Sequence, residues 1–356
     1  MPSATGCHHG NNARTPSNDS SAEGHAMSHL SLAHDVVQRL RGHWRRNLSE
    51  PLRGRSAILV IQRVLPDEAA ARLPHRAPYC LGPDSFRRLL DHLTDHAQIV
   101  SLASARRLHR DPVPRIALTF DGGWRDTAEV ALRQLERLAL PASVFLTTGD
   151  TGRTQGDWRM TLGDILWDGI QPIRVRECLG DAGLPLPPPR PDHPSTAYSS
   201  ALHDYLERLA QQATPWTLAR LGSTLGAEFD IAPQTLNPFS VRRLESDGLV
   251  RFGARGVAAT PLETLDDRQI QWQIRQSRRQ LGVLCRDPLS YFAYPQPEAS
   301  LRVRQLAQRC GVQEALHSHA GWLSHRDDPL ALPRFPITQP VASSAGRLYD
   351  WLLGHL

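Results

Sequence analysis

The sequence is short of several things, and each shortage closes off a class of function. No run of about 18 apolar residues occurs, so no membrane-spanning helix is expected. The opening residues hold no apolar block of the signal-peptide kind, so no secretory leader is read there, and Met27 could itself be the start. The five cysteines, Cys7, Cys80, Cys178, Cys285 and Cys310, are odd in number and far apart. That pattern argues against a disulfide framework and against a zinc ribbon, and a reducing cytoplasm is the expected location. No Gly-x-Ser-x-Gly elbow is present, so a serine-hydrolase site of that kind is not expected.

Lysine is absent altogether, and arginine makes up the whole basic set behind a net charge of +5. Arg39, Arg41, Arg45, Arg46, Arg53 and Arg55 crowd around Trp44. This stretch reads as a patch for anionic lipid or nucleic acid, or as the solvated face of an amphipathic helix whose other side carries Val36, Val37, Leu40 and Trp44. Aromatic and basic residues do not interleave elsewhere, so nucleic-acid binding is not expected.

Apolar residues make up 40% of the 356-residue chain, partly because residues 1–27 are polar and poor in large apolar side chains. Such a tail buries too little to offset its ordering entropy and is expected to be disordered. His8, His9 and His25 in it could bind metal weakly or stand in water. A basic lead-in helix is expected within 28–54.

From residue 55 the pattern alternates. Ala57–Ile61 reads as a buried strand, and 84–96 as a helix with Phe86, Leu89, Leu90 and Leu93 on one face. Strands are expected at 98–102, 115–120 and 142–147, with helices at 103–109 and 126–138 between them. Strand, helix and strand within some thirty residues indicate a parallel βαβ unit. Residues 150–240 break the rhythm with helical patterns at 161–180 and 198–224. Between these, 184–191 is proline-rich and stiff, a docking peptide or a spacer. Strands at 249–253, 289–294 and 312–316 and helices at 266–282 and 300–309 then resume it. Such alternation suits a (β/α) barrel or an open doubly wound sheet.

The most informative stretch is Ile116-Ala117-Leu118-Thr119-Phe120-Asp121-Gly122-Gly123-Trp124-Arg125-Asp126. It reads as a buried strand that stops at an acidic loop, where α/β folds keep their chemistry. It resembles the T-F-D-D-G motif of the polysaccharide deacetylase (NodB-homology, carbohydrate esterase) family, with Gly122 in place of a metal-binding Asp. The likeness extends over residues 55–340. Ile61-Gln62-Arg63-Val64 is similar to that family's first strand end, Leu140–Gly149 to its next strand, and Phe292-Ala293-Tyr294-Pro295 to its third motif. Leu330–Phe335 resembles a recurrent late segment. Phe252–Ala259 lies where the family has His-(Ser/Thr)-x-x-His, and Arg255 and Ala259 stand at the two His positions.

The resemblance implies an irregular (β/α) barrel of the deacetylase type, its first part at 55–149 and its second at 241–356, with a largely helical insertion at 150–240. It also implies that Asp121 holds the general-base position. The three metal-ligand positions are Gly122, Arg255 and Ala259, none of which offers a lone pair. No cofactor is expected, and zinc only if a substitute site exists, with Asp126 or the group His317, His319 and His325 as candidates. The other roles for these residues are a helix cap and solvated loop histidines; Glu263, Asp266 and Asp267 are read as caps. Arg255 is expected to pair with Asp121, directly or through a water, or else to turn to solvent. Trp124, Trp158 and Tyr294 are candidate platforms for sugar rings, or else packing residues.

The function expected is that of a sugar-binding pseudoenzyme of envelope-polysaccharide metabolism. The alternatives are an active hydrolase removing N- or O-acetyl groups through a non-standard site, and a partner-binding scaffold that uses the insertion. A poly- or oligosaccharide is the expected partner, with another polysaccharide-biosynthesis protein as a further candidate.

Overall fold

The computed structural model describes residues 52–152, 158–229, 234–295 and 299–355. The tail 1–27 and nearly all of the lead-in 28–54 lie outside the described residues. In chain order the strands are β1 (Ser56–Ile61), β2 (Arg63–Val64), β3 (Cys80–Leu81), β4 (Gln98–Ile99), β5 (Arg115–Gly122), β6 (Ala142–Leu146), β7 (Val250–Ala254), β8 (Phe292–Ala293), β9 (Ala315–Leu316) and β10 (Phe335–Pro336).

The main sheet runs β10-β1-β5-β6-β7-β8-β9, with β4 also on β5, and its pairings are parallel. An isolated parallel bridge from Leu316 to Leu332 brings β9 next to the chain that enters β10, so the ring of strands comes back on itself. The central strands are continuous apolar runs because both of their faces are covered; β1 is buried at every position.

Side chains alternate along each strand, and the two sets go to different cores. Ala57, Leu59, Ile61, Ile116, Leu118 and Phe120 join the outer layer with the surrounding helices. Ile58, Ala117, Phe145, Ala293, Leu316 and Leu332 meet inside the ring. Gly253 is required there: a Cβ on it would lie 2.4 Å from the Phe145 ring. Continuing the inward set toward the carboxyl ends of the strands gives Thr119, Asp121, Thr147, Arg255 and, just past β1, Gln62. The site is therefore a consequence of strand register.

Helix Pro83–His96 starts with Pro at its first turn and buries Phe86, Leu89, Leu90 and Leu93. Each such side chain contributes roughly 1.5–3 kcal/mol. Residues Arg125–Arg137 form one helical run with a π-helical turn at Ala128–Leu132.

Between β6 and β7 four helices, Trp158–Asp168, Pro172–Asp181, Thr196–Gln212 and Pro215–Glu228, build a separate apolar core around Leu162, Leu202, Tyr205, Leu206 and Leu225. The proline-rich link lies along this block. Tyr205 Oη donates to the Pro185 carbonyl at 2.8 Å, and Arg190 Nε donates to the Trp167 carbonyl at 2.8 Å. The link is a strap on its own helices, which favours the spacer over a free docking peptide.

Several expected elements are shorter or new. The strands expected at 98–102, 289–294 and 312–316 shrink to two residues each, β4, β8 and β9. Helices at Pro238–Ser246, Gln339–Ala342 and Ala345–Leu353 were not expected. No helix among the described residues is long and apolar enough to cross a membrane. Cys80, Cys178, Cys285 and Cys310 are free thiols.

Candidate functional site

Asp121, Gly122, Trp124, Arg255 and Ala259 line one small cavity at the carboxyl ends of the strands, together with Gln62, Thr147, Asp150, Met160 and Thr235. Its free volume is about 30 Å³, room for roughly one water. Gly122, Arg255 and Ala259, which the resemblance implies as the metal-ligand positions, thus share one pocket.

Asp121 is buried, at 4% exposure, and its carboxylate is held from two sides. Arg334 grips it in a fork: Nη1 to Oδ1 at 2.8 Å and Nη2 to Oδ2 at 2.8 Å. Arg255 Nε stands 3.3 Å from Oδ2, an ion pair without hydrogen-bond geometry. The Arg255 guanidinium is anchored by Nη2, which donates to the Pro295 carbonyl at 2.7 Å. The direct Arg255–Asp121 contact is therefore present, but Arg334 is the stronger partner, and the sequence reading gave it no role.

Arg334 is fully buried and uses its whole donor set. Besides Asp121, Nε donates to the His317 carbonyl at 3.0 Å, Nη1 to Thr119 Oγ1 at 3.3 Å and Nη2 to Ser318 Oγ at 3.2 Å. Five N–H groups meet five acceptors, the condition for burying a guanidinium at tolerable cost. Thr119 completes the frame by donating to the Leu59 carbonyl at 2.7 Å.

Position 122 is closed to a carboxylate. Gly122 has φ +98°, a left-handed conformation that side-chain-bearing residues resist. A Cβ built on it would lie 2.6 Å from Trp124 Nε1. The indole fills the space where a ligand side chain would start. Trp124 is itself fixed, with the Arg63 guanidinium 4.4 Å from its ring centre and an antiparallel bridge to Thr235.

The Ala259 loop is pinned as well. Thr148 and Gly149 N–H groups donate to the carbonyls of Gly256 and Val257, while Gln273 Oε1 accepts from Val257 and Ala258 N–H. The residues present do not fit a divalent cation. Glycine and alanine have no ligating atom, a guanidinium has no lone pair, and both Asp121 oxygens are taken up by Arg334. Among the described residues no group of three His, Cys, Asp or Glu side chains could hold a metal ion, the set His317, His319 and His325 included. His317 Nδ1 accepts the His319 N–H at 2.9 Å, and burial lowers its pKa. The Cys80 thiol, packed with Trp124 and Met160, is pushed by burial up to about 12.

The other expected roles sort as follows. Asp126 does not cap its helix as the first residue outside it. It lies in the first turn, and its Oδ2 accepts from Arg63 Nε at 2.8 Å. Asp266 does cap helix Asp267–Leu284, in a capping box with Gln269. Glu263 instead accepts from Ser300, at the start of the following helix.

Tyr294 is a core residue. Alternation turns Ala293 inward and Phe292 and Tyr294 outward, so Tyr294 packs on Phe292 and donates from Oη to the Leu330 carbonyl at 3.0 Å. Trp158 opens the first insertion helix and packs against Gly222, away from the pocket. Besides Trp124, Tyr79 flanks the site, an aromatic residue for which the sequence predicts no role. It lines a second cavity of about 140 Å³ with Val60, Gln62, Arg255, Ser318 and Thr338. Gln62 and Arg255 separate the two cavities and face both.

The family model described as polysaccharide deacetylase matches residues 191–315, the part that holds β7, β8 and β9. No curated protein matches the sequence. Solved structures share the fold. The structure of IcaB from Ammonifex degensii aligns at 15% identity with TM-score 0.54, over 84% of this chain and 98% of its own. A polysaccharide deacetylase from Bacillus cereus aligns at 11% identity with TM-score 0.53, over 84% and 69%. The Streptococcus pyogenes deacetylase PplD, solved with acetate, aligns at 16% identity with TM-score 0.51, over 84% and 99%. Residues 191–315 are thus similar to the polysaccharide deacetylase family model, and the chain shares the fold of these solved deacetylases.

Proposed function

We propose that this chain binds saccharide on a deacetylase barrel from which the metal-dependent reaction has been lost. The observation that carries this is at position 122: the Trp124 indole occupies the space a ligand side chain would need, on a backbone that disfavours any Cβ. Replacement of one ligand could be compensated. Here a guanidinium sits beside Asp121 where a cation would be, so the charge that a metal would supply comes from the protein itself. The frame around Asp121 is kept because a buried carboxylate without counter-charge is costly.

The same frame can still recognise sugar. Gln62, Ser318 and Thr338 offer hydroxyl and amide groups around the larger cavity, and Tyr79 offers an aromatic ring. The test is paired. Purified protein is incubated with chitin oligomers and an O-acetylated polysaccharide in the presence of zinc, cobalt or nickel, and acetate is measured. Binding of the same saccharides is followed by calorimetry. Binding without acetate release is expected. Acetate release that disappears in Asp121→Asn would overturn the proposal in favour of an active hydrolase.

A further inference from the structure

The larger cavity is charged in one sense only. Arg255 is the sole charged residue among those that line it; the others are Val60, Gln62, Pro78, Tyr79, Pro295, Ser318, Pro336, Ile337 and Thr338. Arg255 is only partly neutralised. It shares Asp121 with Arg334, so two guanidinium groups face one carboxylate, and Arg334 has the better geometry. Its buried Nε is turned to Asp121 at 3.3 Å, outside hydrogen-bond geometry. A cation with surplus charge, set at a cavity wall, favours an anionic acceptor.

We propose that this cavity takes an acidic sugar, with the carboxylate of a uronic acid residue on Arg255 and the ring against Tyr79. The inference rests on the saccharide-binding function and adds the substrate class. A guanidinium matches a carboxylate in shape as well as charge. The free volume equals about four or five waters, enough for a carboxylate and part of a ring. The hydroxyl groups of Ser318 and Thr338 and the Gln62 amide suit the sugar's own hydroxyls.

The experiment compares glucuronate, glucose, N-acetylglucosamine and sodium acetate by calorimetry on the whole protein, then repeats the set with Arg255→Gln and Gln62→Glu. Glucuronate should bind about tenfold tighter than the neutral sugars, the scale of one hydrogen bond to a charged group. Acetate should be weak. Arg255→Gln should bring the acidic and neutral sugars to within about threefold of each other. Gln62 is solvent-exposed, so Gln62→Glu should fold normally, and its added charge should cut the glucuronate preference by itself.

Binding of neutral sugars with no acid preference would overturn this inference and leave saccharide binding standing. Acetate binding as tightly as glucuronate would also overturn it, in favour of a simple carboxylate site. Failure to bind any sugar would overturn both.

Discussion

Arg334 and Asp121 face each other through two parallel hydrogen bonds of 2.8 Å in the middle of the barrel, 213 residues apart in sequence. Neither side chain meets water to any extent, so their charges were taken out of water at a cost that their pairing offsets, with Arg255 beside Asp121 and the further acceptors of Arg334. Removing Asp121 leaves Arg334 buried without its counter-charge, and removing Arg334 leaves Asp121 with Arg255 alone. Arg334→Met or Asp121→Leu should each destabilise the protein by about 3–5 kcal/mol. The double variant should cost clearly less than the sum of the two. Urea unfolding of the three variants completes the double-mutant cycle, and additive losses would contradict the pairing.

Gly122 sets the next expectation. At φ +98°, with Trp124 Nε1 in the way, Gly122→Ala should cost about 1–3 kcal/mol. The ligand-restoring triple variant Gly122→Asp, Arg255→His, Ala259→His should therefore gain no stoichiometric zinc. Adding Trp124→Ala to it should raise the bound metal, because the steric block goes even though the backbone strain stays. Elemental analysis of the purified proteins decides. Tight zinc in the triple variant alone would show that the indole yields easily.

A third expectation concerns how the helical block is held to the barrel. Asp164, on the first insertion helix, accepts from Arg63 Nη1 at 3.3 Å and from Arg76 Nε and Nη2 at 3.0 and 2.7 Å. Arg63 also carries Asp126 and lies over Trp124, the residue that closes position 122. Besides Met160, which lines the pocket, the insertion thus reaches the candidate site through Asp164, Arg63 and the contact of Arg63 with Trp124. Asp164→Ala should cost about 2–4 kcal/mol by leaving two part-buried guanidinium groups short of charge. It should also change tryptophan fluorescence and speed proteolysis within 158–228. An unchanged cleavage pattern would remove Asp164 as the link.

The legible parts of this fold were those where one stretch of chain decides its own structure. β1 and β5 are long apolar runs because both faces are covered, and the helix at Pro83–His96 shows its buried stripe openly. The two-residue strands β8, β9 and β10 are too short to show any period; only their neighbours define them. Helix Pro238–Ser246 carries its signals, Asn237 as cap and Pro238 in the first turn, but the alternating apolar pattern resumes visibly only at the following strand. At the site, the Arg255–Asp121 contact was legible from motif position. The Arg334 fork was not, because Arg334 lay in a segment noted only for its likeness, and nothing local marks an arginine that crosses a barrel. Trp124 was singled out as an aromatic platform, and its occupation of the Gly122 space depends on a backbone angle that no composition reveals.

His75 makes stability depend on pH in a way that can be worked out. It lies where the barrel meets the insertion, with Nδ1 at 2.7 Å from Ser199 Oγ and its ring 5.3 Å from that of Trp167. Arg76, Asp164 and His203 are the charged or titratable groups acting on it. Burial, helped by Arg76, lowers its pKa to about 4 from an ordinary 6.5. The folded protein therefore holds His75 neutral where an unfolded chain would already bind a proton, so unfolding takes up protons and stability rises with pH. The contribution is complete above pH 6.5 and is lost as pH falls toward 4, up to about 3 kcal/mol in all. Glu68 behaves differently in range. Burial opposes it, but hydrogen bonds from Ser85, Arg72 and Gln339 hold it down to about 2, so its contribution fades only below pH 4.5. Thermal melting from pH 7.5 to 4 should show a loss that begins near 6.5, and His75→Gln should flatten that upper part while leaving the fall below 4.5. A His75→Gln curve parallel to that of the parent protein across the whole range would mean that the imidazole is reached by water and gains its proton without disturbing the joint.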